Sequence, residues 1–223
     1  MRLAEDLRQD RAVAGTPDEL LSVAERLFAS RGVENVALTQ IVAVSGQKNR
    51  SAVHYHFGSR AGVLTAVLNR RLDPINARRE AELDALPAAP TLAQVLRATA
   101  APLGEVAVVE PWGADYVTIL AQVIFHPQLL GQDAVDDALL TGVRRARRLM
   151  TSALPRLAPE IVASRLAWFN ETVIFALARW VRDTPAAERT RGAVADLINQ
   201  LTAYGAAGLA APVPRSSSTD PKP

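Results

Sequence analysis

The chain has 223 residues, 49% of them apolar, and a net charge of +2, which is enough apolar chain for a compact core and excludes a wholly disordered polypeptide. With no cysteine, disulfides and thiolate metal sites are excluded, and the spacing of His54 and His56 puts them on different sides of a helix, so no metal or other cofactor is expected. No run approaches the roughly 18 uninterrupted apolar residues of a membrane span, and the opening Met1-Arg2-Leu3-Ala4-Glu5-Asp6 lacks the apolar stretch of a secretory signal, so no membrane association and a cytoplasmic location are expected.

Rich in Ala, Leu, Val and Arg and without alternating strand patterns, the chain reads as all-α. Residues 1–15 are charged and weakly periodic, an N-terminal arm. Thr16-Pro17-Asp18-Glu19 opens the first firm helix, with Thr16 as N-cap, Pro17 at the first helical position and Glu19 at the third. Leu20, Ala24, Leu27 and Phe28 follow at helical spacing and Gly32 supplies the stop. Thr39 to Ser45 and Asn49 to Phe57 form two short helices around Gly46. Ser59-Arg60 opens a longer segment to about Leu86, which Pro74 is expected to kink or divide. Further helices are predicted at Leu92 to Val109, Trp112 to Phe125, Asp133 to Leu154, Pro159 to Asp183 and Ala186 to Leu209, with prolines falling mostly between them. The tail from Pro212 has no apolar period and is expected to be disordered.

Gly46 is free to turn the chain with positive φ after a short helix that points Ile41 and Val42 inward. The next helix starts at the cap Asn49 and puts Val53 and Phe57 on one buried face. Arg50, Ser51, His54 and Tyr55 are left outward. Those types suit a duplex, since Arg and Asn pair with base edges and Ser, His and Tyr with phosphate oxygens. An ordinary helical hairpin with a polar face has the same spacing. Charge is uneven as well: residues 46–80 hold seven basic and two acidic side chains (7 − 2 = +5), and residues 1–45 five basic and seven acidic (5 − 7 = −2). A basic stretch of this kind either attracts phosphate or forms a solvated helix face.

The ordered block Gly46-Gln47-Lys48-Asn49-Arg50-Ser51-Ala52-Val53-His54-Tyr55-His56-Phe57-Gly58-Ser59-Arg60, preceded by Ala24-x-x-Leu27-Phe28-Ala29-x-x-Gly32 and Leu38-Thr39-Gln40-Ile41, resembles the N-terminal domain of the TetR family of transcriptional regulators. The resemblance implies a three-helix, helix-turn-helix DNA-binding domain over residues 16–62, followed by a helical effector-binding and dimerisation domain over 63–211, with a tail at 212–223. It implies that Thr39 and Gln40 lie near one phosphate strand, that Lys48, Asn49, Arg50, Ser51 and Tyr55 approach the major groove, and that Arg60 touches the backbone beyond. The turn is one residue longer than the commoner family pattern, and His54 stands where that pattern often has a phosphate-binding Tyr. Ala37 stands where a Ser or Thr often caps the second helix, leaving Asn35 as the substitute cap. Such proteins bind palindromic operators as two-fold homodimers and are not enzymes, and the type most often met is a repressor released by a small molecule.

For the C-terminal helices only the arrangement carries over. Trp112, Tyr116, Leu120 and Phe125 on one helix, with Phe169 and Asn170 on another, are the candidate lining of an effector pocket for an unidentified, largely apolar small molecule. Plain core packing explains aromatic residues at helical spacing equally well. The last two helices carry apolar residues on more than one face, and Val173, Leu177, Trp180, Leu197, Leu201 and Tyr204 are the candidate dimer interface. The run Arg144-Arg145-x-Arg147-Arg148 is read as a solvated face near Asp133, Asp136 and Asp137. The competing function is a helical protein-interaction module without sequence-specific DNA binding; for an enzyme, no nucleophile elbow, phosphate loop or metal-ligand cluster is present in the sequence.

Overall fold

The structure, a computed structural model, describes residues 17–46, 52–130 and 135–213. Among these the chain is all-α, without strands. Helix α1 (Pro17–Arg31) starts on Pro17 with Asp18 and Glu19 in its first turn, where acidic groups meet the positive end of the helix dipole. It buries Leu20, Ala24, Leu27 and Phe28 in a core it shares with α2 (Leu38–Val44), whose Ile41 and Val42 are buried there too. Helix α3 (Ala52–Phe57) follows, and then α4 (Arg60–Asp84).

Helix α4 runs unbroken through Pro74, so the expected division does not occur. A proline costs one backbone hydrogen bond and crowds the preceding turn. Buried residues on both sides of it, Val67 and Leu68 before and Ile75 and Leu83 after, hold the helix together from outside.

The second part of the chain is built around α5 (Leu92–Val109). A reciprocal capping box opens it: Gln94 N donates to Thr91 Oγ1 at 3.3 Å, and Thr91 N donates to Gln94 Oε1 at 2.8 Å. Helices α4, α6 (Gly113–Phe125), α7 (Thr141–Ala153) and α9 (Arg191–Ala210) pack around it, and α8 (Pro159–Asp183) closes the bundle. This explains why α5 is apolar nearly all round. By length and composition alone α5 and α8 could cross a membrane, each with a mean hydropathy of 1.3 over its window. The fold uses α5 as a core helix, more than half buried.

Two boundaries differ from the sequence expectation. The segment predicted as a helix from Asp133 begins as a 3₁₀ turn, Asp137–Leu140, where the Asp136 carboxylate accepts from Ala138 N at 2.9 Å; the α-helix starts only at Thr141. Likewise Ala186–Glu188 is a 3₁₀ turn, and Thr190 caps α9 by accepting from Ala193 N at 3.1 Å. The Asp136 carboxylate caps only the 3₁₀ turn, and α7 then begins without a side-chain cap, whereas at α9 the Thr190 hydroxyl captures a free N–H and sets the start.

Candidate DNA-binding surface and effector cavity

Helices α1 to α3 form the helix-turn-helix, and two glycines set its corners. Gly46 (φ 71°) ends the α2 turn and Gly58 (φ 69°) ends α3, a backbone region other residues rarely adopt. Ser59 then caps α4, its Oγ accepting from Gly62 N at 3.0 Å. The cap of α2 is not Asn35, whose Nδ2 instead donates to the Arg31 carbonyl at the end of α1. Gln40 supplies only the returning half of a capping box: its Oε1 accepts from Ala37 N at 2.9 Å, while the Ala37 methyl caps nothing and Gln40 N turns to the Ala37 carbonyl at 3.0 Å.

Of the sequence-predicted DNA contacts, Thr39 and Tyr55 are exposed, Tyr55 at 86%. Gln40 is half-buried through its capping bond. His54 is exposed with Nδ1 2.9 Å from the Gly58 carbonyl oxygen. A carbonyl only accepts, so Nδ1 carries the proton and Nε2 is the nitrogen left over. Arg60 is exposed, but its Nη1 donates to the Glu34 carbonyl at 2.7 Å, tying α4 to the α1–α2 connection. Lys48, Asn49, Arg50 and Ser51 lie outside the described residues.

Within the basic window, the arginines in the middle of α4 are engaged inside the chain. Arg70 reaches Asp18 and Ser22 on α1, Arg71 pairs with Glu25, and Arg78 pairs with Glu110. Arg79 is buried at 6% exposure. These side chains fasten α4 to its neighbours and are not a phosphate-facing stripe. In the later run, Arg144 pairs with Asp137 and Arg145 with Glu80 and Asp84 of α4, while Arg147 and Arg148 are exposed.

Behind the helix-turn-helix lies a cavity of about 360 Å³ between α4, α5, α6, α7 and α8. Its size falls within the roughly 300–1,000 Å³ of small-molecule sites. Leu68, Leu72 and Ile75 of α4, Leu103 of α5, and Val173 and Ile174 of α8 supply apolar wall; Arg79, Thr99, Tyr116 and Asn170 supply the polar groups. Burial pushes the Tyr116 hydroxyl well above its ordinary pKa, so it stays a neutral phenol.

The six residues predicted for the pocket separate. Tyr116, Leu120 and Asn170 line it. Trp112 lies one turn before Tyr116, rings edge-on with centroids 6.0 Å apart, and covers the Arg71 guanidinium at 4.5 Å. Phe125 is 68% exposed at the end of α6, against Phe175 at 4.4 Å. Phe169 is buried on the other face of α8, its ring against Gly205 of α9. The ring cannot serve both sides of one helix.

Of the predicted interface residues, Val173 and Leu177 are buried inside the chain at 3% and 0% exposure, Val173 in the cavity wall. Trp180, Leu197 and Leu201 are half-buried, and Tyr204 is 70% exposed. Tyr204 and Gly208 of α9 share an open groove with Trp168 and Thr172 of α8, and Trp168 is itself 62% exposed. Trp168 and Thr172 are four apart, as are Tyr204 and Gly208, so each helix turns one stripe outward.

Helix α6 belongs to both parts. Its cavity face carries Tyr116, Leu120 and Val123, while Gln122 reaches the helix-turn-helix. There Gln122 Oε1 accepts from Val33 N at 2.9 Å and Nε2 donates to the Phe28 carbonyl at 3.2 Å, closing the end of α1. Arg71 of α4 makes a bidentate pair with the buried Glu25 of α1, with Nε to Oε1 at 2.9 Å and Nη2 to Oε2 at 2.6 Å. Neither Gln122 nor Arg79 was singled out from sequence. Arg79 was discoverable, because it continues the apolar stripe of α4 at Leu68, Leu72, Ile75, Arg79 and Leu83.

A family model described as bacterial regulatory proteins, tetR family, matches residues 20–67, and one described as tetracyclin repressor-like, C-terminal domain, matches residues 97–208. The second alone spans half of the chain, so this protein belongs to the TetR family of transcriptional regulators, with a DNA-binding helix-turn-helix at its N-terminal end. Its fold is similar to that of the fatty acid degradation regulator FadR from Bacillus halodurans, at 11% identity and TM-score 0.58 over 84% of this chain and 97% of that one. It is similar also to the regulator PfmR from Thermus thermophilus (18% identity, TM-score 0.54, 85% and 97% covered). A family member from Streptomyces coelicolor gives 18% identity and TM-score 0.54 with 87% and 92% covered. Comparison with curated protein sequences returns no match.

Proposed function

We propose that this protein is a ligand-responsive repressor: a homodimer holds a palindromic operator when empty and lets it go when a small, largely apolar effector fills the cavity. The observation that carries the reading is the double duty of α6, whose one face walls the cavity while Gln122 on another is bonded to the C-terminal end of α1 and to Val33 just beyond it. A ligand changes DNA affinity only through unequal binding to two states. An effector that moves α6 or α4 displaces α1 with it, and the spacing of the paired recognition helices changes. The groove between α8 and α9, with exposed Trp168 and Tyr204, supports two-fold packing of two helices against two.

His54 belongs to the DNA-facing set, together with Thr39, Lys48 to Ser51 and Tyr55. Its Nδ1 is held by Gly58, which leaves Nε2 as the ring nitrogen that faces the duplex. Mobility-shift titrations against the DNA upstream of its own gene test the reading. The duplex is retarded more strongly than a scrambled one of equal length. A His54→Ala variant binds the upstream duplex about fivefold more weakly, the worth of one hydrogen bond. Equal retardation of both duplexes defeats the proposal, leaving a helical protein-interaction module as the reading; unchanged affinity in the variant defeats the assignment of His54.

A further inference from the structure

We propose that the ligand of the cavity is an amphipathic monoanion, one carboxylate on an apolar body, and that Arg79 receives its charge. The proposal rests on reading the cavity as the effector site. Arg79 is 6% exposed and lines a cavity whose walls are otherwise mostly aliphatic. Its Nε donates to the Thr99 carbonyl at 3.1 Å, while Nη1 is buried with no hydrogen-bond partner among the described residues. A guanidinium stays charged even when buried, and a buried charge without a counter-charge is strongly unfavourable.

Among the described residues, the anions beside this stretch of α4 are committed elsewhere. Glu80, the acid whose field reaches Arg79, is paired with Arg145, and Glu110 is paired with Arg78. Tyr116 offers Arg79 no counter-charge, because its burial keeps the phenol protonated. Burial lowers the Arg79 pKa from its ordinary value, the direction of a cation removed from water and not compensated by an ion pair. No described residue supplies the missing charge, and we assign it to the ligand. A carboxylate matches the planar guanidinium fork, and its apolar body matches Leu72, Ile75, Leu103 and Val173. An alcohol on the same body fills the same walls and leaves the guanidinium unpaired.

Calorimetric titration of the full-length protein at pH about 8 with decanoate and with decan-1-ol tests this. Decanoate is expected to bind roughly ten- to hundredfold more tightly, the strength of a hydrogen bond to a charged group. Arg79→Met keeps decanol binding, loses the preference, and raises the Tm of the empty protein by a few degrees. Arg79→Lys, which retains the charge but not the fork, keeps part of the preference. Equal affinity for the two probes, or a preference that persists in Arg79→Met, overturns the charge assignment and leaves the effector cavity standing. Binding of neither probe overturns both readings.

Discussion

Glu25 is 3% exposed on the otherwise apolar inner face of α1, yet its carboxylate is fully engaged by Arg71, whose guanidinium lies over the Trp112 ring. Such a pair is costly to bury and costlier to break, so its value here is positional: it fixes α1, α4 and the start of α6 relative to one another. Asp115 stands near this junction. Burial raises its pKa, the Glu25 charge adds to the effect, and Arg26 opposes it. The folded state therefore holds the Asp115 proton more tightly than the unfolded chain does. Stability is lost as pH rises from the ordinary aspartate value of about 3.9 through the higher folded value. Asp115→Asn has no such loss, so its Tm relative to the unaltered protein should rise between pH about 3 and about 6, read by scanning calorimetry. A difference that is flat, or that falls with pH, contradicts the placement of Asp115.

Among the elements, the firmest expectations from sequence were those with a local cause. Pro17, the Gly32 stop and the turn at Gly46 are set by backbone chemistry within a few residues, and the structure keeps them. Pro74 and the starts of α7 and α9 were not legible in the same way. The first is overridden by tertiary burial on both sides of the proline; the Asp136 carboxylate caps a 3₁₀ turn ahead of α7, and the Thr190 hydroxyl sets the start of α9. The cavity was legible only in part. Helical spacing put Trp112, Tyr116 and Phe125 on one helix but could not say which face looked inward, and Arg79 read as one more charge in a basic run. The α8–α9 contact also depends on a close approach that the sequence hides. A Cβ at Gly205 would lie 2.3 Å from the Phe169 ring. Gly205→Ala should therefore destabilise the protein by about 1–3 kcal/mol, the usual penalty of overpacking, and Phe169→Leu in the same chain should recover part of it. Urea unfolding of the two single variants and the double variant measures this. Additive losses would mean that the two side chains do not meet.

Over the whole molecule, the helix-turn-helix and the cavity are joined by α4 and α6, which carry both cavity walls and the bonds that hold α1. That connection makes ligand control of DNA binding mechanically direct, provided two copies act together on one operator. Footprinting on the DNA upstream of the gene, with and without a bound cavity ligand, addresses that most directly. The account predicts two protected half-sites about one helical turn apart, roughly 34–36 Å centre to centre, and loss of both together when the cavity fills. Protection that ignores sequence, or a single half-site unaffected by cavity occupancy, would contradict it.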